Sequence, residues 1–171
     1  MGQDKARLPF RGGVLAEAVA REVEKAAGCV TLVGHAGVGH AGIGAIPDRH
    51  PGEGPLGGIL TALHHTSTDW NLIVACDMPE VSAAFLARVL AVAERTTAWI
   101  VLPYGPDGRP EPLCAVYHRQ SLASLEAAFE RGVRKITAAM EGLLIERLDI
   151  AEMAIFQNVN TPEDWSGYGA K

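Results

Sequence analysis

Short β-branched apolar runs alternate along this chain with longer stretches of helical periodicity, and that rhythm constrains the fold more than any other feature. The runs Cys29 to Val33, Asn71 to Cys76, Trp99 to Leu102 and Leu113 to Tyr117 read as strands. Between them, Val14, Leu15, Ala18, Val19 and Val23 recur at helical spacing up to a closing Gly28. Gly57 to His65 reads as a short helix. Ser82 is placed to cap a helix carrying Phe85, Leu86, Val89, Leu90, Val92 and Ala93. Ser121 is placed to cap another with Leu122, Leu125 and Phe129, and Ile136, Met140, Leu143 and Leu144 mark a last full helix. Strands that alternate with helices in this way build an α/β domain with a mostly parallel sheet. The unbroken apolar run Leu72 to Cys76 predicts a strand buried on both faces. Residues 34 to 58, rich in Gly, Pro and His, read as a long loop without an element of its own, and such loops usually carry function.

A chain of 171 residues with 48% hydrophobic and 20% charged residues can bury a core, and no repeat or composition shift divides residues 1–171 into more than one domain. Lys plus Arg number 15 against 20 Asp plus Glu, for a net charge of −5, so a nucleic acid is not the expected partner. A nucleotide held in one cleft by a lysine, backbone amides and a metal ion stays compatible with that charge. Apolar runs such as Trp99 to Pro103 fall far short of the roughly 18 residues of a membrane span, and Met1 to Phe10 lacks the apolar segment of a signal peptide. A cytoplasmic location is the expectation. The three cysteines, Cys29, Cys76 and Cys114, lie in apolar runs and read as buried structural thiols.

Ligands of open α/β sheets bind beyond the carboxyl ends of the strands, and Asp77 is the carboxylate placed there, with Pro79 forcing the chain out of the sheet. A hard oxygen ligand in that position suits magnesium together with substrate phosphates, while a cap of the following turn is the alternative. Gly54, Pro55, Leu56, Gly57 and Gly58 precede an apolar helix, so backbone amides at its N-terminus can meet an anion or a base edge. Lys5 offers a point charge for a phosphate or a solvated surface group. The six histidines show no zinc-ligand spacing, and neither G-x-S-x-G nor a Walker lysine loop is present. Asn158 and Asn160 put two amides on one strand face before the Thr161-Pro162 start of a terminal helix.

Five blocks in order, Met1-Gly2-Gln3-Asp4-Lys5-Ala6-Arg7-Leu8-Pro9-Phe10, Gly54-Pro55-Leu56-Gly57-Gly58, Cys76-Asp77-Met78-Pro79, Pro110-Glu111-Pro112-Leu113 and Asn158-Val159-Asn160-Thr161-Pro162-Glu163-Asp164, resemble the molybdenum cofactor guanylyltransferases, the MobA-type proteins. The resemblance implies a Rossmann-like three-layer α/β/α nucleotidyltransferase domain. It implies transfer of GMP from magnesium-bound GTP to the phosphate of the molybdopterin cofactor, with release of pyrophosphate. By position it implies that Lys5 meets the GTP phosphates, that Asp48 and Gly54 to Gly58 form the nucleotide site, and that Asp77 holds Mg2+. Asn158 and Asn160 fall on the family's late active-site asparagines, on the molybdopterin side, while Arg134, just after Gly132, is placed either to hold the phosphate of the pterin substrate or as an exposed charge at a helix start. Transient contacts with other cofactor-maturation proteins are implied by the pathway. The family also has an apolar strand and a glycine-rich loop ahead of the Met-Gly with which this sequence opens, so residues 1–171 taken alone are expected to bind GTP weakly and transfer little. Two alternatives stay open: a non-catalytic nucleotide-binding remnant, and a related cytidylyl or sugar-phosphate nucleotidyltransferase.

Overall fold

The computed structural model describes residues 9–10, 13–34 and 42–157. A small antiparallel hairpin, β1 (Pro9–Phe10) with β2 (Gly13–Val14), leads into helix α1 (Leu15–Ala27). Gly28 ends that helix in the left-handed region, at φ 79°, where any Cβ would be strained. Strand β3 (Thr31–Val33) then pairs in parallel with β4 (Gly44–Ile46). Helix α2 (Pro55–His65) carries the chain to β5 (Trp70–Val74), and α3 (Ala83–Ala93) carries it on to β6 (Ile100–Tyr104). Ser82 caps α3 as its sequence predicts, its hydroxyl accepting from the Phe85 amide at 3.3 Å. β7 (Cys114–His118), α4 (Leu122–Glu130), the single-turn α5 (Ile136–Ala139) and β8 (Ile145–Asp149) complete the described elements.

The larger sheet has four strands in the order β5-β7-β6-β8. β6 and β8 run parallel, and β7 runs antiparallel to both β5 and β6, so three strands share one direction and β7 opposes them. Alternation along β6 and β7 splits the interior into two layers. Val101, Cys114 and Val116 join α1 and α3 in one core, while Ile100, Leu102, Ala115 and Tyr117 join α2, α4 and α5 in the other. Helices thus cover both faces, giving the expected three-layer α/β/α arrangement.

The local details depart from the sequence expectations at several points. The 34–58 segment contains β4, a Gly-Ala-Ile stretch too short and too small to announce itself as a strand; pairing with β3 makes it one. The strands buried on both faces do not include β5, whose residues are all half-buried at one edge of the four-stranded sheet, but are β6 and β7, each between two neighbours. Ser121 is not a cap: its hydroxyl donates to the His118 carbonyl at 2.8 Å inside a 3-10 turn that leads into α4. The last helix stops after one turn, because Gly142 takes φ 82° and the chain leaves as β8 along β6. Of the cysteines only Cys114 is fully buried; Cys29 is exposed and Cys76 lies between. No described helix is long and apolar enough to cross a membrane.

Candidate active site

Between β3 and β5, and along one face of α2 from Pro55 to His65, runs a cleft of about 1120 Å³. Its walls are apolar along Leu32, Leu72 and Val74, and Pro55, Gly58 and Asp77 are among the residues that line it. Two sequence-predicted features, the glycine-rich start of α2 and the carboxylate beyond β5, therefore open onto one space. Asp77 is half-buried there. Gly54 precedes α2 with φ 84° and ψ 179°, a conformation closed to other residues, and Pro55 occupies the first helical position. No acidic residue stands in the first turn of α2, and the carboxylate just ahead of it, Glu53, is paired with Arg134.

The loop ahead of α2 is shaped by hydrogen bonds that converge on Thr61, a buried threonine on the second turn of the helix. Asp48 Oδ1 accepts from the His50 amide at 3.0 Å and lies 2.8 Å from Thr61 Oγ1. The same hydroxyl oxygen accepts from the Arg49 amide at 3.0 Å and sits 2.9 Å from the Gly57 carbonyl, so its one proton serves either Asp48 or Gly57. Glycine is required at position 57 because a Cβ there would meet His50 Cβ at 2.8 Å. Asp48 thus acts on the described residues as the tie that closes the loop. Leu56 and Gly57 point inward, Leu56 into the core, leaving Pro55 and Gly58 on the cleft. Arg134 lies on the far side of the loop, with Nε on Glu53 Oε2 at 2.7 Å and Nη1 on the Phe129 carbonyl at 2.8 Å. Lys5, Asn158 and Asn160 fall outside the described residues.

Thr61, His50, Glu53 and Phe129 carry loop geometry that sequence reasoning missed. Only Thr61 left a signal, as a lone hydroxyl on the buried face of α2. The Pro110 to Leu113 block sits across from the start of the Asp77 turn, since the Ala75 amide donates to the Leu113 carbonyl at 2.7 Å. Glu111 is held there by its own backbone, its amide on Pro103 O at 2.9 Å and its carbonyl accepting from Cys114 N at 3.0 Å. Burial, with Asp107 beside it, pushes the Glu111 carboxyl above its ordinary value against the lowering pull of Arg109. Behind it, burial pushes the Cys114 thiol up to about 12, with Glu111 adding to the shift, and raises the fully buried Tyr117 hydroxyl as well. Tyr117 donates to Pro112 O at 2.7 Å and anchors the turn from the core.

Among the described residues no three His, Cys, Asp or Glu side chains gather into a metal site. A single carboxylate at a strand end fits magnesium, which is held by one or two carboxylates and takes its other ligands from phosphate and water. The nucleotidyltransferase pattern of the MobA-like NTP transferase domain matches residues 1–143. The chain belongs to that family. As a MobA-like nucleotidyltransferase it is 30% identical over 173 residues to a molybdenum cofactor guanylyltransferase of Vibrio atlanticus, covering 98% of this chain and 88% of the relative. It is 36% identical to a probable molybdenum cofactor guanylyltransferase of Methanothermobacter thermautotrophicus, over 70% of this chain and 63% of that one. Among solved structures, molybdopterin-guanine dinucleotide biosynthesis protein A of Archaeoglobus fulgidus superposes with a TM-score of 0.81 at 27% identity, over 98% of this chain and 89% of that one. The 2-C-methyl-D-erythritol 4-phosphate cytidylyltransferase of Thermus thermophilus, at 21% identity, shares the fold with a TM-score of 0.74 over 99% of this chain and 93% of that one.

Proposed function

We propose that this MobA-like protein transfers GMP from GTP to the terminal phosphate of the molybdopterin cofactor, within the cytoplasm and in passing contact with other cofactor-maturation proteins. The observation that carries the proposal is the single cleft lined both by Asp77 and by Pro55 and Gly58 at the start of α2. In the reaction an oxygen of the acceptor phosphate forms a bond to the α-phosphorus, the α–β bridging bond breaks, and pyrophosphate leaves with the electron pair. Such a displacement asks the protein for in-line positioning and for neutralisation of charge on the α-phosphate and leaving group. The amide end of α2 and the Lys5 ammonium supply that charge to the triphosphate. Asp77 would hold magnesium, which would supply positive charge to offset what develops on the phosphate oxygens. Asn158 and Asn160 orient the acceptor as amide donors and acceptors.

Support for guanine over other bases comes from the relatives named above together with the terminal Asn-Val-Asn-Thr-Pro block. The test is calorimetric binding of GTP and CTP with and without magnesium, followed by pyrophosphate release on adding molybdopterin cofactor. GTP is expected to bind more tightly than CTP and to need magnesium, with Asp77→Ala losing that dependence. Tighter binding of CTP, or Mg-dependent binding that survives Asp77→Ala, would refute the assignment.

A further inference from the structure

We infer that Glu53, His50, Phe129 and Arg134 form a latch that holds the Asp48 to Gly54 loop in its nucleotide-binding position, which makes Glu53 and Arg134 positioning residues for the transfer. The inference rests on the reading that this loop and the start of α2 belong to the nucleotide site. At its tip the loop has one turn hydrogen bond of its own, from the Glu53 amide to the His50 carbonyl at 3.1 Å, and two glycines, Gly52 and Gly54, at positive φ of 80° and 84°. Beyond the Asp48 and Thr61 ties at its base, the tip is held from about eighty residues further along the chain. Arg134 Nε donates to Glu53 Oε2 at 2.7 Å, and Nη1 donates to the carbonyls of Phe129 at 2.8 Å and Val133 at 3.1 Å. The guanidinium carbon also lies 3.9 Å over the Phe129 ring, a cation–π contact that orients the fork toward Glu53. The His50 ring packs on the other partner of that contact, 4.7 Å from the Phe129 ring, with its Cβ against the open side of Gly57. His50 is therefore gripped between α2 and the end of α4, and Glu53 is tied to the turn that follows α4. Gly132, at φ 87°, makes the turn that brings Arg134 back toward the loop.

The exposure of this pair decides what the latch can do. Arg134 and Glu53 are 42% and 49% exposed, and ion pairs that wet contribute little to global stability. Their effect is concentrated on the loop they hold. Glu53→Gln and Arg134→Lys, alone and together, test this through melting temperature, hydrogen exchange of the 50–57 amides and the Kd of GTP with magnesium. Melting temperatures are expected to stay within about 2 °C of the parent. Exchange at 50–57 is expected to quicken about 5- to 10-fold, and GTP to weaken about 3- to 10-fold, in either single variant. The double variant should be no worse than Arg134→Lys alone, because that change already removes the Nε–H that meets Glu53. Raising salt to about 0.5 M should move the parent toward the variants and leave the double variant unmoved. Unchanged exchange in both single variants, additive losses in the double, or a GTP affinity indifferent to faster exchange would overturn the latch. If the parent binds no GTP at all, it is the nucleotide reading that fails, and the exchange data still decide whether the loop is held from α4.

Discussion

Replacing Thr61 with valine removes one oxygen from the centre of the site loop and leaves the shape of the side chain nearly unchanged. Thr61 is 1% exposed, so the new methyl meets no solvent and leaves no cavity. Two contacts are lost outright. The Arg49 amide, 3.0 Å from the hydroxyl, is left without its acceptor, and Asp48 Oδ1 keeps only the His50 amide of its two donors. An orphaned amide costs about 1–3 kcal/mol and a hydrogen bond to a charged group about 1.5–3 kcal/mol. Both partners are only part-buried, so water recovers some of this, leaving about 2–3 kcal/mol. With a urea m-value of about 2 kcal/mol/M, the unfolding midpoint should fall by about 1–1.5 M. Thr61→Ser keeps the oxygen and loses only a methyl, for about 1 kcal/mol. A valine variant within about 0.5 kcal/mol of the parent, or a serine variant as unstable as the valine one, would refute the idea that this oxygen organises the loop.

Three further outcomes follow from the same geometry. A folded-state pKa raised by burial means that the stability linked to Glu111 is complete below the ordinary glutamate value and is lost as pH rises through the raised one. Glu111→Gln should therefore melt above the parent near pH 7 and together with it near about pH 4, as thermal scans at both values would read. Cys29 is exposed, while Cys114 is buried with its thiol pushed to about 12, so iodoacetamide should label Cys29 in the native protein and reach Cys114 only after unfolding, by peptide mass mapping. Gly54→Ala forces a Cβ into φ 84° with no neighbour within 4 Å to blame, so a loss of about 1–3 kcal/mol in urea unfolding measures backbone strain alone.

Sequence periodicity alone determined the alternation of strands and helices, the start of α3 at Ser82, the end of α1 at Gly28, and the two candidate site elements at Gly54 to Gly58 and Asp77. These are local properties: helical spacing, a capping hydroxyl, a glycine that accepts left-handed φ and a proline that ends a ladder are written in neighbouring residues. The five ordered blocks also carried the family resemblance, since each keeps its order along the chain. Tertiary structure decided the rest. β4 and β8 are strands only because β3 and β6 offer them partners, a Gly-Ala-Ile stretch and an Ile-Glu-Arg-Leu-Asp stretch having too few alternating apolar positions to declare themselves. The reversed direction of β7, the edge position of β5, and the grip of Phe129 and Arg134 on a loop near residue 50 depend on which surfaces meet after the chain has folded. Contacts between distant segments are set by the summed packing of two cores, and no window of sequence contains that sum.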